Sequence, residues 1–338
     1  MTLFNRLLPL IGHTVAPQAL EALRLLNRPV ELEVDPFHWN ARETSVRFRN
    51  RLGIAGGVDK DAGQIRGWHH FGAGFVEVGT VTPEPQGPNP GWIMGRDAET
   101  KALWNRMGFP SKGGKIAKEN LREWRIFENT HELERFPIFV NIGKNRNTSL
   151  EDANKDYASL IGLFARAEQR LADAFVINIS SPNTKGLRDL FQKERLAEFL
   201  KPIAAALTTH GTPGLLKLSP DLEAESLKNA VHVACDLGID GFIATNTTIE
   251  RKPGSPFPQE GGVSGAPLTE RSRQCLEALI RELGTEKTSK LVVSAGGVMT
   301  RDEYLRRRDI GADLVQAYAA LAFQGPWFFS NTLTRPKS

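Results

Sequence analysis

The sequence predicts an α/β fold, a (β/α)8 TIM barrel with a small N-terminal helical module. Three observations carry this expectation. Short apolar runs rich in Val, Ile, Leu and Phe recur along the chain, helical patterns separate them, and most runs end near Gly, Ser, Thr or Asn. Such an alternation builds a parallel sheet, because parallel neighbours need a crossover between them. Closing eight strands into a barrel removes both edges, which an open sheet would have to protect. With 338 residues, 40% of them hydrophobic and 24% charged, the chain can bury one large core.

Residues 1–40 stand outside the repeat as the helical module, and residues 41–338 form the barrel. Pro17 to Asn27 reads as a helix with Leu20, Leu23 and Leu26 on one face; Leu3, Phe4, Leu7, Leu8, Leu10 and Ile11 crowd a shorter segment interrupted by Pro9. Two readings of the module stand open: a cap on the barrel, or an amphipathic surface for a membrane or an apolar ligand. The strand runs are Leu52 to Gly56, Phe75 to Gly79, Ile138 to Ile142, Phe175 to Ile179, Leu215 to Leu218, Gly241 to Thr245, Leu291 to Ala295 and Asp313 to Tyr318. Ala153 to Leu171 and Leu222 to Leu237 are among the helical patterns between them. The connections Val81 to Phe136 and Arg251 to Pro267 exceed what a minimal barrel needs, and such connections commonly serve as lids or binding loops.

Lys and Arg number 43 against 39 Asp and Glu, a net charge of +4 from nearly balanced populations. No basic run with interleaved aromatics stands out, which argues against a nucleic-acid partner; an anionic metabolite or a lipid surface fits the small excess. Cys235 and Cys275 are too few for a disulfide framework and read as buried small hydrophobes. No apolar run reaches the roughly 18 to 20 residues of a membrane span, so a cytosolic or peripheral protein is expected.

Parallel strands deliver their C-terminal ends to one face of a barrel. Lys60, Thr80, Asn141, Asn178, Lys217, Asn246, Gly297 and Tyr318 fall at or just beyond those ends. The segment from Asn178 to Arg188 supplies amides, hydroxyls and a Pro-fixed turn; alone, such a junction is more often a turn than a site. Asn105-Arg106-Met107-Gly108-Phe109 and Thr245-Asn246-Thr247-Thr248 repeat its chemistry, so neutral polar groups converge from three loops on a planar polar ligand. Metal-ligand clustering, a P-loop and a nicotinamide fingerprint are all missing, so the reaction chemistry falls to a bound organic cofactor. The glycines of Val263-Ser264-Gly265 and Ala295-Gly296-Gly297, with Tyr318-Ala319, lie where barrels bind phosphate, although turns need glycine anyway. Lys60 and Lys217 are read as fixed cations, one against a flavin's pyrimidine edge and one for a substrate carboxylate.

These residues resemble the dihydroorotate dehydrogenases, and within them the class 2, quinone-linked members. The resemblance runs from about Val46 to Pro326. It is carried by Ala55 to Lys60, Glu77 to Thr82, Asn105 to Phe109, Asn141 to Asn145, Asn178 to Arg188, Thr245 to Thr248 and Gly262 to Gly265. It implies FMN held by Gly56, Gly57, Val58, Asp59, Lys60, Thr80, Asn141, Asn178, Lys217, Thr245, Gly265, Gly296, Gly297, Tyr318 and Ala319. It implies dihydroorotate met by Lys60, Asn105, Arg106, Met107, Gly108, Phe109, Asn178, Asn183, Asn246 and Thr247. Ser181 would be the catalytic base for the C5 proton while hydride leaves C6, with Thr184 and a water beside Phe109 as proton relay. A serine at the base position, where soluble class 1 relatives carry cysteine, points to class 2. That class implies a membrane quinone as acceptor, a lipid surface met by the N-terminal helices, and a monomer on the cytoplasmic face of the cell (inner) membrane.

The chain departs from the family pattern at Gly56, where alanine is usual, at Ala319, where serine or threonine is usual, and at Phe191, where glutamine is frequent. The nearest rival is an FMN barrel with a soluble acceptor, fumarate or a nicotinamide. A non-catalytic flavin-binding or membrane-associated protein is a more distant one, since an inert module has no need of Ser181 with Asn178 and Asn183.

Overall fold

The computed structural model describes residues 18–32, 34–184 and 186–334. The apolar segment from Leu3 to Ile11 and residue Lys185 lie outside these. In chain order the elements begin with helix α1 (18–26), β1 (Phe37–Ala41), β2 (Thr44–Phe48), β3 (Leu52–Asp59), α2 (Ile65–His70), β4 (Val76–Val81), β5 (Met94–Asp97) and β6 (Ala102–Asn105). Then come α3 (Gly114–Thr130), β7 (Ile138–Ile142), α4 (Ala153–Ala165), β8 (Ala174–Ile177), α5 (Lys193–Thr209), β9 (Gly214–Leu218), α6 (Ala224–Asp236) and β10 (Gly241–Ala244). The chain continues through β11 (Gly262–Gly265), α7 (Thr269–Leu283), β12 (Leu291–Ala295), α8 (Arg301–Ile310), β13 (Leu314–Ala317), α9 (Ala319–Gln324) and α10 (Phe328–Leu333).

The eight expected runs are the eight strands of a closed parallel barrel, ordered β3-β4-β7-β8-β9-β10-β12-β13, with β13 pairing back onto β3. Strand β3 runs on to Asp59, past the expected Gly56, and its register against β4 shifts between Ile54 and Asp59. Helix α4 stops at Ala165, short of Leu171, because Arg166, Glu168 and Arg170 are exposed and offer no apolar stripe to hold another turn against the barrel.

The antiparallel hairpin β1–β2, unexpected from the sequence, straddles residue 40. It closes the N-terminal end of the barrel. Phe48 packs edge-on against Phe75 and Phe139 with ring centroids 5.7 and 6.1 Å apart, and Trp39 meets Phe139 at 6.2 Å. Such edge-to-face pairs add roughly 0.5–1.5 kcal/mol each beyond burial. Arg42 in the turn anchors the hairpin to Asp240 at 2.8 Å. The two long connections meet each other: β5, β6 and β11 form one antiparallel sheet, and its pairing of Asn105 with Gly262 ties the second strand's insertion to the sixth's.

Helix α1 docks by Leu20, which packs against Gly67 of α2, and by Leu23. Leu26 does not share their face as expected; it is 82% exposed beside Leu25 at 70%. A spacing of three falls short of a helical turn, so two such steps carry a side chain about 120° round the axis.

Candidate active site

Inward positions alternate along each strand, and the last inward positions before the strand ends are polar. Glu77 on β4, Asn141 on β7 and Lys217 on β9 are all buried and meet one another. Lys217 Nζ donates to Glu77 Oε1 at 2.6 Å, and Asn141 Nδ2 donates to the same oxygen. One step beyond the end of β8, Asn178 donates through Nδ2 to Thr80 Oγ1 and Asn141 Oδ1, both at 3.1 Å. Its Oδ1 accepts from Ser180 at 3.2 Å and Asn246 at 3.3 Å. The Asn178 carbonyl is itself held by Tyr157 of α4 at 2.8 Å. A single amide therefore cross-links four strand ends.

Ser181 is buried, and its Oγ accepts a hydrogen bond from the Asn183 backbone N–H at 3.2 Å, so the turn orients the hydroxyl. The Asn183 amide donates to Asn105 Oδ1 at 2.8 Å, joining the Ser181 loop to the β6 insertion. Arg188 clasps this loop against the next: it donates to Ser180 O at 3.1 Å, Thr247 O at 3.1 Å and Asp221 Oδ2 at 2.9 Å. Burial pulls the Lys60 ammonium down to about 8, with Asp61 and Asp59 opposing that shift, and its Nζ donates to Gly57 O at 3.1 Å.

These groups enclose one cavity of about 870 Å³, counting its open mouth. Of the residues singled out from the sequence, Gly56, Gly57, Lys60, Thr80, Asn105, Met107, Gly108, Phe109, Asn141, Asn178, Ser181, Asn183, Lys217, Thr245, Asn246, Thr247, Gly296 and Tyr318 line it. The others do not. The Asp59 carboxylate turns to the backbone N–H groups of Gly63 and Gln64 at 2.9 and 2.8 Å, closing the loop after β3, and burial pushes it up to about 6. Val58 packs against the core, and Arg106 turns to Pro90 O at 2.6 Å and Glu260 at 3.2 Å. Gly265 and Gly297 serve close backbone approach, since a Cβ would lie 2.1 Å from Lys101 O and 2.3 Å from Thr269 Cα. Ala319 is buried at the start of α9. Thr184 lines a neighbouring cavity that shares Gly108 and Asn183 with the first, and its hydroxyl is buried without a partner.

Ala55, Pro110, Ser264, Leu268 and Ala295 also line the cavity and Glu77 lies behind it; of these, Pro110 and Leu268 fall outside the motifs quoted from the sequence. Glu77 left a readable signal: a carboxylate at inward parity between Val76 and Val78 demands a buried cation as partner. The lining suits a planar, phosphate-bearing ligand. Amides offer both donors and acceptors, Lys217 supplies a cation, and Gly57 and Gly296, at φ +97° and +99°, expose backbone where a side chain would intrude. Among the described residues no cluster of His, Cys, Asp and Glu is arranged for a metal. Cys275 is buried as expected, with its thiol pushed up to about 12, whereas Cys235 is only half-buried against the core.

Residues 41–335 match the family described as "Dihydroorotate dehydrogenase". The chain belongs to the dihydroorotate dehydrogenase family. Its relatives include proteins named dihydroorotate dehydrogenase (quinone): that of Corynebacterium striatum is 38% identical over 344 residues, covering 96% of this chain and 90% of the relative. That of Leifsonia xyli subsp. xyli is 41% identical over 297 residues, covering 86% and 82%. The crystal structure of Eimeria tenella DHODH in complex with ferulenol superposes with a TM-score of 0.84 at 30% identity, covering 95% of this chain and 89% of that one. A dihydroorotate dehydrogenase fold and a polar cavity at the strand ends thus coincide, and the chain is an oxidoreductase of this type.

Proposed function

We propose that the chain oxidises (S)-dihydroorotate to orotate in pyrimidine biosynthesis, with FMN in the cavity, and passes the electrons to a membrane quinone. The observation that carries this reading is the convergence of Ser181, Asn105, Asn183, Asn178, Asn246 and Lys60 on one cavity. Bound FMN supplies the hydride acceptor. Gly56, Gly57, Thr80, Asn141, Asn178, Lys217, Thr245, Gly296 and Tyr318 would hold it, with Lys217 as the cation that would offset negative charge on the reduced ring.

The amides of Asn105, Asn183 and Asn246 read the edges of the dihydroorotate ring, and Lys60 pairs with its carboxylate. Ser181 takes the C5 proton. A serine hydroxyl is a weak base, so it needs an exit for that proton at the moment of transfer. Thr184, with its unpartnered buried hydroxyl in the adjoining cavity, would take that proton while releasing its own to water in that cavity. Among the described residues no helix is long and apolar enough to cross a membrane. The exposed Leu25 and Leu26 of α1 give the N-terminal module an apolar surface for lipid and quinone.

The test is anaerobic stopped-flow of the purified protein, with dihydroorotate added first and a soluble quinone or fumarate second, in separate shots. Flavin bleaching by substrate and recovery by quinone alone is expected. Recovery by fumarate alone would overturn the acceptor, and no bleaching of a bound flavin would overturn the substrate.

A further inference from the structure

The Glu77 carboxylate is fully buried behind the cavity, with Oε1 bound by Lys217 and Asn141 and Oε2 left without a hydrogen-bond partner. Gly56 abuts it: a Cβ at that position would come within 2.3 Å of Glu77 Oε1 and 2.9 Å of its Cδ. Gly56 is not among the glycines at positive φ, so the missing side chain serves space and not a backbone turn. Burying two ions costs several kcal/mol each, and their attraction offsets this only when the remaining lone pairs are satisfied. One oxygen here is bare, so stability alone does not account for the carboxylate.

Its position accounts for it. Lys217 lines the cavity, and a lysine there stabilises the negative charge that a flavin ring gains on taking up a hydride. A carboxylate 2.6 Å from that ammonium makes the pair a dipole, whose field at the ring is much weaker than that of a lone cation. We propose that Glu77 is the counter-charge of Lys217 and holds the reduction potential of the bound flavin down, and that Gly56 leaves the room its carboxylate occupies. Glu77 is a positioning residue, acting on the ring through Lys217. The inference rests on the reading of the cavity as an FMN site. A lowered potential favours handing electrons on to the second acceptor over retaining them.

The experiment is sulfite titration of the purified flavin-loaded protein, with the midpoint potential measured alongside, for the unaltered chain, Glu77→Gln and Gly56→Ala. Sulfite binds oxidised flavin more tightly as the potential rises. Glu77→Gln keeps the shape and removes the charge; it is expected to bind sulfite at least about tenfold tighter, equivalent to about 30 mV for a two-electron couple. Gly56→Ala keeps both charges and displaces the carboxylate, and shifts the affinity in the same direction by a smaller factor. Weaker sulfite binding by Glu77→Gln would mean that Glu77 merely steadies Lys217, and unchanged binding that its charge is not felt; either overturns the inference. If Glu77→Gln holds no flavin, Gly56→Ala decides alone by the same criteria. A wild-type protein unable to bind FMN would overturn the FMN reading itself, an outcome separate from a flavin-loaded variant with unaltered sulfite affinity.

Discussion

Near the N-terminal end of the barrel the chain points Phe75, Phe139 and Leu215 inward, while two residues further along the same three strands the inward positions hold Glu77, Asn141 and Lys217. One strand period, about 6.6 Å, separates an aromatic plug from a buried ion pair. The lower layer is sealed by Phe48 and Trp39 from the hairpin and makes no demand on hydrogen bonding. Every polar group in the upper layer needs a partner, and Asn178 alone serves Thr80, Asn141, Ser180 and Asn246. If the upper layer carries the proposed chemistry and the lower layer only stability, substitutions in the two should separate.

The largest effect is expected at Ser181. Ser181→Ala should retain FMN and its unfolding midpoint while flavin reduction by dihydroorotate slows by roughly 10²- to 10⁴-fold; near-normal single-turnover reduction would remove Ser181 from the base role. Two residues down the same strand from Asn141, Phe139→Ala should cost about 3–5 kcal/mol in urea unfolding, with a much smaller effect on FMN affinity because Phe139 does not line the cavity. A large loss of FMN affinity there would show that the two layers are coupled.

Lys60 gives a pH signature. Burial lowers its ammonium to about 8, so the charge proposed to pair with the substrate carboxylate is present below that pH and lost above it. The value of kcat/KM for dihydroorotate should then fall about tenfold per pH unit beyond pH 8, while Lys60→Ala should be slow and flat across the same window. The folding linkage has its own sign: between pH 8 and 10.5 the unfolded chain binds more protons, so the stability cost of burying Lys60 is relieved as pH rises. The smallest effect on the barrel is expected at the module. Leu25→Ser with Leu26→Ser should change stability by under about 0.5 kcal/mol and leave reduction by dihydroorotate intact. Reoxidation by quinone in lipid vesicles should slow; an unchanged rate would detach α1 from the acceptor reaction.

The barrel was legible in the chain because its signal is local: apolar runs of strand length, Gly or Asn behind them, and helical periodicity between. Much of the cavity was legible too, since parallel strands place all their C-terminal ends on one face wherever those strands lie in the sequence. The misses share a cause. Asp59 and Arg106 sit beside lining residues in sequence, but only folded geometry shows that Asp59 ties down its own loop and that Arg106 turns away to Glu260. Glu77 opens one of the motifs quoted from the sequence, but its partner Lys217 lies 140 positions away and only the fold brings the two charges together. The hairpin β1–β2 escaped because its short strands are held by aromatic contacts to Phe75 and Phe139, which no local pattern announces. By itself, then, the sequence determined the repeat and the polar mouth, both written in local periodicity and residue type. Only the tertiary structure decided which groups face the cavity and which charges meet, because direction and partnership depend on strand tilt, register and long-range packing.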